Sequence, residues 1–192
     1  EINEKEMNTI QKELKDNYQC LPVFLSEEEV DKHYYGFCNN TIWPLFHYFI
    51  DITKFEPETW EVYEKVNQKF FEAVDPFIGK NDIVWVHDYQ LMLLPRLIKE
   101  KHPDTQVGFF LHIPFPSFEI FRLLIWREEI ILGLLGADLI GFHTYDYVRH
   151  FLSSARRLLG LEHNLNVLSF EDRYVYVDAF PMGIDYERFS KK

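Results

Sequence analysis

Polar side chains stand directly after three short apolar runs of the chain. His87 and Asp88 follow IVWV, His112 follows VGFFL, and His143 follows DLIGF. Between the first two runs, apolar residues recur at helical spacing over positions 91 to 98, which predicts a β-α-β unit. Such a crossover joins parallel strands, and ligands bind beyond the carboxyl ends of parallel strands. We therefore expect Asp88 and His112 to face one pocket, although 24 positions separate them.

These residue types suit the binding of a polar substrate. A carboxylate can orient hydroxyl groups through charge-assisted hydrogen bonds, and a histidine can donate or accept a hydrogen bond. Spacing alone leaves structural roles open. Asp88 could instead cap the helix that follows it, and His112 could be a core histidine whose nitrogens bind backbone groups.

The same positions raise a metal-dependent alternative. If His87, Asp88, His112 and His143 converge at one sheet edge, they could hold zinc or manganese in a phosphohydrolase. Their pattern fits no recognised metal motif, so we expect neither a metal nor another cofactor. Cys20 and Cys38 lack CxxC spacing and indicate no disulfide framework or zinc site.

The composition restricts the possible partners. Twenty basic and 31 acidic residues give a formal charge of -11, which opposes binding to nucleic acid and to anionic membranes. No apolar run reaches the roughly 18 residues of a membrane-spanning helix, and no signal peptide opens the chain. We therefore expect a cytoplasmic protein without nucleic-acid or membrane partners.

Apolar runs that alternate with helical patterns predict an α/β fold with a doubly wound, mostly parallel sheet. Two further β-rich runs, Asn166 to Phe170 and Tyr174 to Phe180, predict a hairpin or a pair of edge strands. The upstream elements that we predict are a helix over Glu4 to Lys15, a strand over Cys20 to Leu25, a helix opened by a Ser26–Glu29 capping box and ended by Gly36, a helix capped by Asn39 or Asn40, and a helix from Thr59.

Four ordered segments carry a family resemblance: YYGFCNNTIWPLFHYF, VWVHDYQLMLLPRL, FFLHIPFPSFEIFRLL and GADLIGFHTYDYVRHFLS. Over about residues 33 to 185 the chain resembles the N-terminal half of trehalose-6-phosphate synthases, which are retaining glycosyltransferases of two facing Rossmann-like domains (GT-B type). The resemblance implies an acceptor-side domain over residues 1–182 and the beginning of a linker over 183–192. The first strand region of the family and its C-terminal nucleotide-sugar domain have no counterpart here, so we expect the chain alone to be inactive.

The resemblance also implies the reaction and its partners. These enzymes transfer glucose from UDP-glucose to glucose 6-phosphate with retained configuration, through a same-face reaction in which the leaving phosphate helps to deprotonate the acceptor. No enzymatic nucleophile is then required, unlike in a double displacement with two carboxylates. The implied partners are both substrates and the missing C-terminal domain. An isolated half also exposes its inter-domain face, which predicts self-association as a homo-oligomer. A non-catalytic regulatory or interaction module of the same family is the alternative.

Five positions match residues with known roles in the family. Tyr34 resembles the tyrosine that contacts the phosphate of the acceptor, and Trp43 resembles the tryptophan that lines the glucose 6-phosphate pocket. Asp88 resembles the carboxylate that binds acceptor hydroxyls. His112 resembles the histidine that contacts the donor glucose, and Ile113 resembles a neighbouring position of the pocket wall. The implied catalytic residues are Asp88 and His112.

Overall fold

The computed structural model describes residues 4–191, and a six-stranded sheet lies at its centre. The strands are β1 Ile83–His87, β2 Gln106–Phe110, β3 Leu139–Phe142, β4 His163–Asn164, β5 Val167–Phe170 and β6 Arg173–Ala179, in the spatial order β1-β2-β3-β6-β5-β4. The pairs β1–β2, β2–β3 and β3–β6 are parallel, whereas the pairs β6–β5 and β5–β4 are antiparallel. The predicted α/β fold with a mostly parallel sheet is confirmed, as is the C-terminal hairpin.

Helices connect the parallel strands and build the upstream third of the chain. They are α1 Glu4–Tyr18, α2 Glu27–Glu29, a π-helix Val30–Ile42, α3 Trp43–Phe46, α4 Pro57–Val74, α5 Leu94–Lys101, α6 Phe118–Phe121, α7 Arg127–Leu134, α8 Tyr145–Leu159 and α9 Tyr186–Ser190. Helix α8 ends at Gly160, which has a φ of +69° and forms a left-handed cap. Among residues 4–191, no helix is both long and apolar enough to cross a membrane.

The two faces of the sheet differ in burial. One face packs beneath α5, α7 and α8 and forms the core with Val86, Val107, Phe109, Ile140, Phe142, Val175 and Val177. The strands β1, β2, β3 and β6 are added in one direction, and right-handed crossovers then place their connecting helices on one side. On the opposite face, Ile83, Trp85, Leu139, Tyr174 and Tyr176 are exposed. Residues 4–191 therefore contribute helices to one side of the predicted doubly wound arrangement.

The predicted strand over Cys20 to Leu25 is wrong. These residues form no strand, and Cys20, Leu21 and Val23 instead line a cleft together with Phe70 and Val74 of α4. A strand needs a partner for its backbone groups, but this segment lies against a helix. Its β-rich composition reflects apolar packing rather than sheet pairing.

The predicted helix end at Gly36 is also wrong, although the capping box that opens the helix is present. The Glu29 N–H donates to Ser26 Oγ at 3.2 Å, and the Ser26 N–H donates to Glu29 Oε2 at 2.8 Å. The chain then continues through Gly36 as the π-helix, so Asn39 and Asn40 lie inside a helix and cap nothing. A Cβ on Gly36 would come within 2.8 Å of Thr59 Cγ2, and the glycine therefore permits close packing on α4.

Glu29 joins this helix to α4 and supports our first prediction. Its carboxylate is buried and accepts hydrogen bonds from Lys69 at 2.8 Å and from the Ser26 N–H, and it pairs with Lys65 at 3.3 Å. Burial alone would raise the pKa of Glu29, but these donors outweigh it and lower the pKa from 4.5 to about 2. A lowered folded-state pKa contributes stability that is present above pH 4.5 and is lost as the pH falls towards 2.

We therefore expect Glu29→Gln to reduce the free energy of unfolding by about 3 kcal/mol at pH 7 and by much less near pH 2. Urea denaturation at both pH values measures this difference. Glu28→Gln is the matched control, because Glu28 is exposed and pairs at the surface with Lys32. Equal effects of the two substitutions at pH 7 would contradict the buried ion pair as the cause.

Candidate active site

The carboxyl ends of β1, β2 and β3 lie side by side at one edge of the sheet. Backbone pairing continues just past the strands, since the Asp88 N–H donates to the Phe110 carbonyl at 2.8 Å. The His112 N–H in turn donates to Asp88 Oδ1 at 3.2 Å. Asp88 and His112 are therefore neighbours at this edge, as expected, and their facing one pocket stays a prediction.

Asp88 has a strained backbone. Its φ of +71° and ψ of +172° lie in a region that essentially only glycine adopts. One carboxylate oxygen, Oδ1, accepts from the N–H groups of Tyr89, at 3.0 Å, and His112. The other oxygen, Oδ2, accepts no hydrogen bond from residues 4–191. Asp88 thus caps the turn Tyr89–Leu91, which is the structural role named as its alternative, and it still has one oxygen available for a ligand.

The side chain of His112 pairs with that of His87. The two atoms His87 Nδ1 and His112 Nε2 are 3.0 Å apart. The ring centroids are 5.3 Å apart at an interplanar angle of 21°, so the rings lie side by side rather than face to face. Burial, and then the charge of His112, lower the pKa of His87. His143 completes the row with a ring centroid 5.7 Å from that of His112.

These histidines form no metal site within residues 4–191, where no group of three or more His, Cys, Asp or Glu side chains is placed to hold a metal ion. The facing nitrogens of His87 and His112 bind each other and are therefore not directed at a common ion. A metal ligand must instead point its lone pair at the ion. The metal-dependent alternative therefore has no candidate site in the described part of the chain.

Ideal π-helical geometry would place Trp43, the first residue of α3, on the same side as Tyr34 of the preceding π-helix Val30–Ile42. Its wider turn is shown by the Trp43 N–H, which donates to the Cys38 carbonyl five residues earlier. With about 4.4 residues per π-helical turn, nine positions make close to two full turns. In an α-helix of about 3.6 residues per turn, the same two side chains would point in opposite directions. Both rings are partly exposed, Tyr34 by 43% and Trp43 by 37%.

The same helix contacts the turn that follows Asp88. The Tyr89 hydroxyl donates to Asn39 Oδ1 at 3.0 Å. The pKa of this hydroxyl is raised to about 12, first by burial and then by three ionisable neighbours: Cys38, Asp88 and Tyr34. Tyr34 and Asp88 therefore both lie near the Tyr89 hydroxyl, which connects the helix to the strand edge.

Trp43 and Ile113, two other predicted site residues, have different surroundings. The Trp43 ring stacks on His47, with centroids 4.2 Å apart, and on Phe49; no contact joins it to Asp88 or His112 within residues 4–191. Ile113 is 8% exposed and belongs to the apolar core. The binding roles of Trp43 and Ile113 stay predictions, as do those of Tyr34, Asp88 and His112.

Sequence reasoning missed a buried polar network beneath the Asp88 turn. The Tyr63 hydroxyl donates to the Tyr89 carbonyl at 2.8 Å and accepts from the Met92 N–H at 3.0 Å. The Asn67 amide donates to the Gln90 carbonyl, its Oδ1 accepts from the Leu93 N–H, and His33 Nε2 lies 3.2 Å from the Gln90 carbonyl. These side chains of α4 and the π-helix hold the segment that carries Asp88.

The sequence matches the profile of Glycosyltransferase family 20 over residues 1–192. The chain belongs to this family. The resemblance that the four sequence segments indicated is therefore confirmed. The family 20 match covers every element that forms the sheet edge described above.

Known proteins agree with this family 20 assignment. Alpha,alpha-trehalose-phosphate synthase (UDP-forming) A of Dictyostelium discoideum is 51% identical over 98% of this chain and 26% of its own length. The N-terminal domain of Candida albicans trehalose-6-phosphate phosphatase has a TM-score of 0.85 at 36% identity, over 96% of this chain and 40% of that one. A UDP-forming alpha,alpha-trehalose-phosphate synthase of Burkholderia xenovorans, solved in complex with glucose-6-phosphate, has a TM-score of 0.77 at 29% identity, over 83% and 36%. The family 20 chain thus spans between a quarter and two fifths of the length of these relatives.

Proposed function

We propose that this chain forms the acceptor side of a glucosyltransferase that joins glucose from UDP-glucose to glucose 6-phosphate with retained configuration. The observation that carries the proposal is the meeting of Asp88 and His112 at an edge of parallel strands, next to the π-helix that carries Tyr34 and that contacts the turn after Asp88 through the Tyr89–Asn39 hydrogen bond. The names of the relatives support the same reaction, since the Dictyostelium protein is a UDP-forming synthase and the Burkholderia protein was solved with glucose-6-phosphate.

In this proposal each residue has a distinct role. The free Oδ2 of Asp88 accepts hydrogen bonds from hydroxyls of the acceptor sugar. The Tyr34 hydroxyl donates to the phosphate, Trp43 and Ile113 bound the pocket, and His112 contacts the donor glucose. Positioning of this kind supplies about 7 kcal/mol or more of the barrier reduction when the reacting atoms are brought into contact.

The chemistry then needs no nucleophile from the protein. The departing phosphate takes the proton of the attacking acceptor hydroxyl on the same face of the sugar, so that configuration is retained. Cationic side chains must stabilise the diphosphate as its charge develops, and we assign them to the second domain of the family architecture. We retain the division at residue 182 as part of this proposal; residues 1–3 and 192 lie outside the described residues.

The phosphate contact yields our second prediction. Tyr34→Phe should weaken binding of glucose 6-phosphate about 10-fold, because one hydrogen bond to a charged group is lost, and it should leave the weaker binding of glucose unchanged. Titration of each sugar into the chain, followed by NMR, measures both affinities.

Tyr35→Phe is the matched control for this experiment. Tyr35 is the next residue on the π-helix, is also exposed, and contacts the Tyr34 ring edge-on with centroids 5.2 Å apart. The Tyr35→Phe variant should bind glucose 6-phosphate and glucose with the same affinities as the wild type. If the two substitutions weaken glucose 6-phosphate equally, the phosphate contact is not made by Tyr34.

A non-catalytic module is the second candidate function. The observation that favours it is the TM-score of 0.85 with the N-terminal domain of a protein named as a trehalose-6-phosphate phosphatase. Mixing this chain with a separately expressed second domain and measuring UDP release separates the two functions. Release that depends on both sugars supports the transferase. Glucose 6-phosphate binding without release supports a ligand-sensing module. Cytoplasmic location and self-association stay predictions.

A further inference from the structure

The contact between His87 and His112 couples the proton positions of two imidazoles. The nitrogens Nδ1 of His87 and Nε2 of His112 are 3.0 Å apart in rings that lie side by side. A hydrogen bond between two neutral imidazoles needs one nitrogen that carries a proton and one that does not. The state of one ring therefore sets the tautomer of the other.

Two arrangements satisfy this bond. If His87 donates from Nδ1, the neutral ring of His112 must carry its proton on Nδ1. If His112 donates from Nε2, its Nδ1 is a bare acceptor. The two arrangements differ in whether Nδ1 of His112 carries a proton. This nitrogen can contact a ligand, because His112 is exposed and its Nδ1 binds no group among residues 4–191.

The surroundings of the two rings restrict their movement. The backbone of His112 is tied to Asp88 Oδ1, and its ring packs against Phe110 with centroids 4.7 Å apart. The ring of His87 packs against Trp85 at 4.4 Å. Burial lowers the pKa of His87, which favours the neutral ring that the bond requires.

We propose that His87 is a positioning residue that donates its Nδ1–H to Nε2 of His112 and so holds the proton of His112 on Nδ1, directed at an oxygen of the donor sugar. This inference rests on the proposed function, in which the ligand at this edge is a phosphorylated sugar nucleotide. A phosphate oxygen accepts hydrogen bonds and donates none when it is ionised, and an Nδ1–H of His112 suits both phosphate and hydroxyl oxygens.

The first test is the tautomer itself. Two-bond ¹⁵N–¹H NMR correlation on the labelled chain, at about pH 8, shows which nitrogen carries the proton. We expect His112 to be protonated on Nδ1 in the wild type and to shift towards Nε2–H in His87→Phe. His87→Asn should restore the wild-type state, because its amide can donate from the position of the histidine Nδ1.

His143→Phe is the matched control, since His143 lies beside the His112 ring without a hydrogen bond to it and its substitution should leave the tautomer unchanged. Two results overturn the inference: a wild-type His112 protonated on Nε2, or the same tautomer in His87→Phe as in the wild type. The first of these needs no variant, so it holds even if a substituted chain fails to fold.

The second test is kinetic and uses the full-length protein. His87→Phe should lower kcat about 5- to 10-fold, since only the fraction with the proton on Nδ1 remains competent, and should leave KM for glucose 6-phosphate unchanged. His87→Asn should recover the rate. An unchanged kcat in His87→Phe overturns the inference. An unchanged kcat in His112→Ala overturns instead the role that the proposed function gives to His112.

Discussion

Asp88→Gly should abolish glucosyl transfer by the full-length protein without lowering the stability of the fold. A non-glycine residue at φ +71° and ψ +172° costs about 1–3 kcal/mol, which glycine avoids. The substitution also removes the two hydrogen bonds to Oδ1, each worth about 1 kcal/mol, so the free energy of unfolding should change little. On the proposed function, transfer should fall about a thousandfold or more, because the acceptor sugar would lose the carboxylate that orients it.

Two variants separate strain from chemistry at this position. Asp88→Ala loses the same hydrogen bonds but keeps the strained backbone, so its free energy of unfolding should be lower than that of Asp88→Gly by about 1–3 kcal/mol. Asp88→Asn keeps an Oδ1 acceptor and should fold normally with reduced transfer. Urea denaturation and UDP release are the measurements. Equal stability of the alanine and glycine variants would argue against strain, and transfer by Asp88→Gly would remove Asp88 from the mechanism.

Gly136→Ala should cost about 3 kcal/mol or more of unfolding free energy. A Cβ on Gly136 would overlap backbone atoms of Pro95 and Arg96 at the start of α5. A flexible side chain could move aside, but here the obstacle is the backbone of the helix that joins β1 to β2. To remove this overlap, α5 must move away from α7 and from the sheet, and this movement opens the core beneath the helix.

Gly183→Ala is the control for this prediction, because a Cβ at that position would meet no atom within 4 Å. It should leave the urea midpoint unchanged. Circular dichroism during urea denaturation measures both variants. A Gly136→Ala chain with a midpoint equal to that of Gly183→Ala would show that α5 can shift at little cost.

Local signals were enough to predict the sheet and its edge. Apolar runs that end in His87 and His112 marked the strands and their polar ends, and the β-α-β order implied parallel pairing. The C-terminal end of α8 also follows from a local signal, because Gly160 supplies a left-handed cap that acts within one turn. Such features depend on neighbours in the sequence, so the sequence displays them directly.

Features that depend on distant partners were missed. The glycine at position 36 predicts a helix end, but the π-helix continues through it. The Asn40 carbonyl accepts from the Lys54 N–H at 2.8 Å, and Gly36 packs on Thr59. The helical spacing of Val62, Val66, Phe70 and Val74 in α4 favours burial of all four, and Val66 is indeed fully buried while the other three are partly exposed. The polar side chains of Tyr63 and Asn67 are also fully buried, which this spacing does not predict. Their partners are backbone groups 23 to 29 positions away, which helical periodicity cannot reveal.

The winding of residues 30–42 has an evolutionary consequence. Gain or loss of one residue between Tyr34 and Trp43 would turn one ring about 80° away from the other around the helix axis. Descendants of this sequence should therefore conserve the length of the segment, in addition to Gly36, whose Cβ would come within 2.8 Å of Thr59.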